Sequence, residues 1–289
     1  MRDNSNPVMR GVVRDNQPAG YAGFGAGLQG MQQGAMMAGQ QQLDPQQYAP
    51  TTTDRPITVD DVVTKTAMTL GVLLVAAIAS FFAIASRSDA DAQFGLAMPI
   101  LLVGSIGGLI TVLIATFGRK QDNPAVVLTY AVFEGLFVGA ISFVLPNAYI
   151  SGDVPIAGII GQAVLGTVGV FVGMLVVYKV GAIRVTPRFT RMLTAGMVGV
   201  LVLMLGNLVL SLFGVHTGLR EAGWIGIVFS LVCIGLAAMS FLVDFDSADQ
   251  LVKAGAPSRA AWGVALGLTV TLVWLYTEIL RLVSILNND

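Results

Sequence analysis

Four ionisable side chains stand inside or at the rim of otherwise apolar stretches and have the types to do chemistry: Glu134, Glu278, Asp244 and Asp246. A basic side chain, Arg281, lies three residues after Glu278. An ionised group at the centre of a membrane helix costs about 2.5–3.5 kcal/mol on insertion scales, so such groups face the bundle interior, pair, or line water. A carboxylate can lower that cost by taking up a proton. Two carboxylates in a low-dielectric bundle cannot cheaply ionise together, and they share a proton and titrate as a pair. The shared proton ties two helices. Its loss leaves two like charges that separate the helices or draw in a cation.

The spacing narrows the roles. Glu278 and Arg281, three apart on one helix, can pair locally as a self-neutralising couple near the outer interface. Glu134 lies ten residues into its span, with no partner expected on its own helix. Asp244, Asp246, Asp249 and Gln250 form a polar edge where the sixth span runs out. Asn207 in the fifth span reads as interhelical glue, and His216 as solvated in an outer joint. Other chemistries are excluded. One cysteine, Cys233, and one histidine, His216, rule out a disulfide framework, multi-cysteine metal sites and histidine-cluster catalysis. No span offers a retinal-type lysine, a base for a serine nucleophile, or the stepped arginines of a voltage sensor. There is no P-loop, and no constellation marks an enzyme or a soluble substrate.

These groups must be positioned by membrane helices. The 289-residue chain is 55% hydrophobic and 11% charged, with a mean hydropathy of +0.76. So few charges cannot cover a soluble globule, and a net charge of -1 offers no basic field for nucleic acid. The fold expected is all-α, a polytopic seven-helix transmembrane bundle behind a disordered tail. Spans are expected near Thr66–Ala85, Phe94–Phe117, Ala125–Leu145, Ile156–Tyr178, Met192–Phe213, Trp224–Val243 and Ala260–Leu286. Continuous apolar runs favour helices over a barrel. Residues 1–56, rich in Gly, Gln and Met, show no period and read as a disordered cytoplasmic tail. Residues 57–289 form the membrane domain. The lead-in Ile57–Val63 reads as interfacial, with Thr58 as N-cap and Asp60 and Asp61 in the first helical turn.

Ten Lys and Arg residues fall in joints on one side and two, Arg87 and Arg220, on the other, which predicts a cytoplasmic N-terminus in the cell membrane. An odd number of spans puts the C-terminus outside, unless the last segment fails to cross. GxxxG spacings at Gly104/Gly108, Gly135/Gly139, Gly169/Gly173 and Gly263/Gly267 predict close helix packing within the chain, or a dimer face.

The seven-span layout resembles the transmembrane Bax inhibitor motif family, the Bax inhibitor-1-like membrane proteins. The resemblance rests on Phe133-Glu134-Gly135-Leu136-Phe137-Val138-Gly139, on Val243-Asp244-Phe245-Asp246-Ser247-Ala248-Asp249-Gln250, and on the long last helix through Leu280-Arg281-Leu282. Val177-Tyr178-Lys179 leading to Arg184-Val185-Thr186-Pro187 looks like an actinobacterial-type branch. The resemblance spans about residues 57–289. It implies a pH-sensitive cation leak, chiefly of calcium as the transported ion, with no resident cofactor. The family's sensor is a pair of aspartates. The first carries over to Asp246, or to Asp244 in the neighbouring register. The second position falls on Thr271, with Glu278 two turns further along the same face. The residues alone leave open which acids meet: Asp244 or Asp246 with Glu134 or Glu278, with Arg281 as a latch. On a rise of 1.5 Å per residue Glu278 is about 27 Å beyond Ala260, and Glu134 about 13 Å above Ala125, which favours Glu134 as the partner. For some bacterial relatives the resemblance also suggests a non-conducting role, modulating another membrane protein such as a quality-control protease.

Overall fold

The computed structural model describes residues 55–150, 155–214, 217–221 and 223–287. The expected tail therefore lies outside the described residues apart from Arg55 and Pro56, and so does His216. Seven helices follow in order: α1 (Val59–Ala85), α2 (Ala90–Phe117), α3 (Pro124–Tyr149), α4 (Ile156–Val180), α5 (Pro187–Leu212), α6 (Trp224–Lys253) and α7 (Ala260–Leu286). Each is long and apolar enough to cross a bilayer. The chain is a multi-pass membrane protein, and all seven expected spans are helices.

Several bounds differ from the sequence reading by up to five residues, and two differ by more, both for local physical reasons. α1 begins seven residues before Thr66, because Thr58 accepts from the Asp61 amide and Asp61 accepts from the Thr58 amide, a reciprocal capping box. The expected interfacial lead-in is thus the first two turns of the spanning helix. α6 continues ten residues past Val243, so Asp244, Asp246 and Asp249 lie on helix rather than at its end. Nothing in that stretch breaks a helix until Gly255, whose φ of 64° turns the chain.

α7 is the axis of the bundle. It touches α1, α3, α4 and α6, and 61% of its apolar window is buried, against 11% for α5. Its core includes Leu268, Leu275, Tyr276, Ile279 and Leu280, packed with Phe241 and Phe245 of α6 and Ile159 and Ala163 of α4. The Tyr276 hydroxyl lies 2.7 Å from Ser142 Oγ on α3, satisfying both buried groups. α5 touches only α6.

Glycine places α1, α2 and α3 against one another. A Cβ on Gly104 would sit 2.6 Å from the Phe137 amide nitrogen, and one on Gly135 would sit 2.6 Å from Ala76 Cβ. Gly139 faces the Ala77 carbonyl and Ser80 as closely. Backbones meet there because no side chain intervenes. Gly169 and Gly173 differ from the packing expectation: nothing lies within 4 Å of a Cβ at either.

The chain entering α1 is tied to the joint before α7. Ile57 N–H donates to the Ala256 carbonyl (2.8 Å) and Ser258 N–H to the Arg55 carbonyl (2.9 Å). Arg55 holds Asp61 through two hydrogen bonds of 2.9 and 2.6 Å. Lys65 donates to the Ser258 carbonyl and stands 5.7 Å over the Trp262 ring.

Candidate functional site

The helix bearing Asp244 and the helix bearing Thr271 are α6 and α7, joined by a six-residue turn and packed along their length. Thr271 Oγ1 donates to Asp244 Oδ2 at 2.8 Å and lies 3.2 Å from the Gly267 carbonyl. One turn before Thr271, Gly267 leaves room for the carboxylate: a Cβ there would stand 3.8 Å from Asp244 Oδ1. One turn earlier again comes Gly263. Residues 263, 267 and 271 share a face of α7, so this glycine pair is the wall of a cavity and not a helix-packing seam, as its spacing had suggested.

That cavity has a volume of about 640 Å³. Arg119, Gln121 and Asp122 of the α2–α3 joint line it on one side. Asp244, Ser247 and Leu251 of α6 and Ala260, Gly263, Val264 and Gly267 of α7 complete it. It opens at the end of the bundle where the basic joints gather, and Asp244 is the acid set furthest along α6 toward the membrane interior. Arg119 adopts φ 53°, in the left-handed region, a conformation that costs a non-glycine residue of order 1 kcal/mol. Arg259, at the foot of α7, pairs with Asp122 at 3.5 Å and ties the two joints across the cavity.

Asp246 does not share this site. Two residues along a helix is a turn of about 200°. It lines a separate recess of about 360 Å³ with Thr186, Thr190, Arg191 and Gln250, and Gln250 Nε2 donates to it at 2.6 Å. Asp249 pairs with Lys253 at 2.5 Å. Of the two registers, Asp244 is the one whose carboxylate meets position 271.

Glu134 is elsewhere. Its carboxylate lies over Gly108 of α2, where a Cβ would approach Oε2 to 2.6 Å, and the Tyr130 hydroxyl of its own helix interacts with it. The expectation that Glu134 lacks a partner on its own helix is therefore corrected: Tyr130 stands one turn earlier, at the spacing that brings side chains together. Among the described residues no hydrogen bond or ion pair joins Glu134 to Asp244 or Asp246, nor Glu278 to either.

Glu278 and Arg281 pair as their spacing predicts, but deep in the bundle and not at a wet rim, with side chains 4% and 2% exposed. Arg281 Nε donates to Ser230 Oγ on α6 at 3.1 Å, and the guanidinium carbon lies 5.6 Å from the Phe229 ring centre. Among the described residues its Nη1 has no hydrogen-bond partner. Ser230 and Tyr130 are not legible in the sequence, because single hydroxyls in apolar runs carry no periodic signal. Arg119, Gln121 and Asp122 have the composition of an ordinary polar joint.

Seven apolar helices, one of them buried at the centre, with a carboxylate–hydroxyl contact at the base of a recess, define a polytopic membrane protein built around intramembrane polar groups. A family model described as Bax inhibitor 1 like matches residues 6–288, and the chain belongs to that family. The match begins well before residue 57, so it includes most of the segment that the sequence resemblance left outside. No curated protein matches the chain.

Proposed function

We propose that this protein is a pH-sensitive cation leak of the cell membrane, chiefly for calcium, with the N-terminus cytoplasmic and Asp244 as the group whose protonation gates it. The observation that carries this reading is the Thr271–Asp244 hydrogen bond at the base of the cavity, since it is the polar contact joining α6 to α7 at the point where the recess ends. An ionised Asp244 accepts the Thr271 hydroxyl and keeps a second oxygen for the cavity, which Ser247, Gln121, Asp122 and the basic Arg119 also line. That set suits a hard cation in passage. Among the described residues no group of three or more His, Cys, Asp or Glu side chains could hold a metal ion, which fits transit better than storage. A protonated Asp244 no longer attracts the ion. Because Thr271 replaces a second carboxylate, the switch proposed here is one acid against a hydroxyl and not an acid pair.

The experiment is calcium flux into liposomes across pH. Wild-type protein is expected to pass calcium with a pH dependence, Asp244→Asn to abolish that dependence, and Asp246→Asn to preserve it. Flux from Asp244→Asn indistinguishable from wild type, or wild-type flux equal to that of empty liposomes, rejects the reading.

A second reading, a non-conducting protein that modulates another membrane protein, draws support from the tie between Arg55–Ile57 and Ala256–Ser258. It links the start of the membrane domain to the α6–α7 turn, so a partner held by the preceding residues would bear on the helices of the site. This reading predicts a co-purifying membrane protein that is lost when residues 1–54 are removed.

A further inference from the structure

Among the described residues, the joint between α4 and α5 carries charges of one sign. From Asp153 to Glu221 the intervening sequence holds no acidic residue, yet it carries Lys179, Arg184, Arg188 and Arg191 around the six-residue turn 181–186. All four are exposed. Three other cations at this end of the bundle have acidic partners: Arg55 with Asp61, Lys253 with Asp249, Arg259 with Asp122. Among the described residues, none of the four in this joint forms an ion pair.

The helices on either side of the joint are also unusual. Consecutive elements commonly pack together, but among the described residues the backbones of α4 and α5 do not come together, and both pack against α6. The gap between them is a slot over α6, whose Val228, Leu231 and Val232 are exposed. Only 17% and 11% of their apolar windows are buried. At the basic end of the slot lies the 360 Å³ recess formed by Val185, Thr186, Pro187, Thr190 and Arg191 with Asp246 and Gln250. Asp246 and Arg191 are the charged side chains of its lining, Gln250 donates to Asp246, and Lys179, Arg184 and Arg188 belong to the joint that carries Arg191.

We propose that this recess and slot bind one anionic phospholipid, its phosphate held by Arg184, Arg188 and Arg191 and its acyl chains lying between α4 and α5. Charge selects the headgroup. Guanidinium groups meet phosphate oxygens in a planar fork that an ammonium lacks, and basic residues beside a membrane favour anionic lipids over zwitterionic ones. The apolar slot selects a lipid over a free phosphate, because a water-soluble anion gains nothing from it. The occupied slot gives α5 the neighbour that its packing on α6 alone does not supply.

The test is native mass spectrometry of the purified full chain in mild detergent, titrated with dioleoyl phosphatidylglycerol or dioleoyl phosphatidylcholine. Phosphatidylglycerol is expected to be retained at about tenfold lower concentration than phosphatidylcholine, and the triple variant R184Q/R188Q/R191Q to lose that preference. The triple variant R184K/R188K/R191K, which keeps the charge, is expected to keep most of it, and circular dichroism checks that both variants are folded. A parallel thermal melt compares the lipid with inorganic phosphate. Equal retention of the two lipids, an unchanged preference in the glutamine variant, or a melting shift from phosphate as large as that from phosphatidylglycerol overturns the proposal.

Discussion

Removing the Glu278 carboxylate is expected to be the most damaging conservative change in the membrane domain. The Glu278→Gln side chain fills the same volume, so packing is preserved. What changes is the charge beside Arg281, a guanidinium with a side chain 2% exposed, one hydrogen bond to Ser230, and an Nη1 that has no hydrogen-bond partner among the described residues even in the wild type. Breaking a buried pair by removing one member costs about 3–5 kcal/mol, because the other charge is left uncompensated. The reverse change, Arg281→Met, is expected to cost less. A lone carboxyl can neutralise itself by taking up a proton, whereas a guanidinium cannot, and Met is flexible enough to fill the space under Phe229. The double variant Glu278→Gln/Arg281→Met carries no buried charge and is expected to be more stable than Glu278→Gln alone, by about 2 kcal/mol or more. Thermal or denaturant melts of the purified protein, run as a double-mutant cycle, measure each term. Additive losses, or a Glu278→Gln variant as stable as wild type, would refute the reasoning, since either result means the two side chains do not neutralise each other inside the bundle.

Two further outcomes follow from the packing. Gly104→Ala and Gly169→Ala gain the same helix propensity, so their difference isolates sterics: the first forces a methyl against the Phe137 backbone and the second meets open space. Gly104→Ala is expected to be less stable than Gly169→Ala by about 1–3 kcal/mol in parallel melts, and equal stabilities would contradict the α2–α3 contact. Asp61→Asn weakens both the cap of α1 and the grip on Arg55, a loss of about 1 kcal/mol given that Arg55 is more than half exposed. Hydrogen exchange at the Ile57 and Ser258 amides is expected to quicken, and unchanged protection there would show that the tie between the α1 entry and the α6–α7 turn stands without that ion pair.

Much of this molecule is local in origin and so is legible in the residue order. Seven apolar runs of bilayer length become seven helices because backbone groups in lipid have no other way to be satisfied. Thr58 caps α1, and Glu278 finds Arg281, because both relations act within one helical turn. The continuation of α6 to Lys253 was as local but less legible, since polar residues at the end of an apolar run look like the end of a helix when they are only the point where it leaves the membrane.

The tertiary structure decided which polar groups meet. Spacing along one helix states which residues share a face, but it does not say what that face looks upon. Hence one GxxxG pair packs against backbone, another lines a cavity, and a third meets nothing. Likewise Asp244 and Asp246, two residues apart, look into different recesses, and only the packing of α7 against α6 brings Thr271 to one of them. The acids were visible in the sequence. Their partners depended on helix rotation and neighbour choice, which come from the whole bundle filling its interior at once.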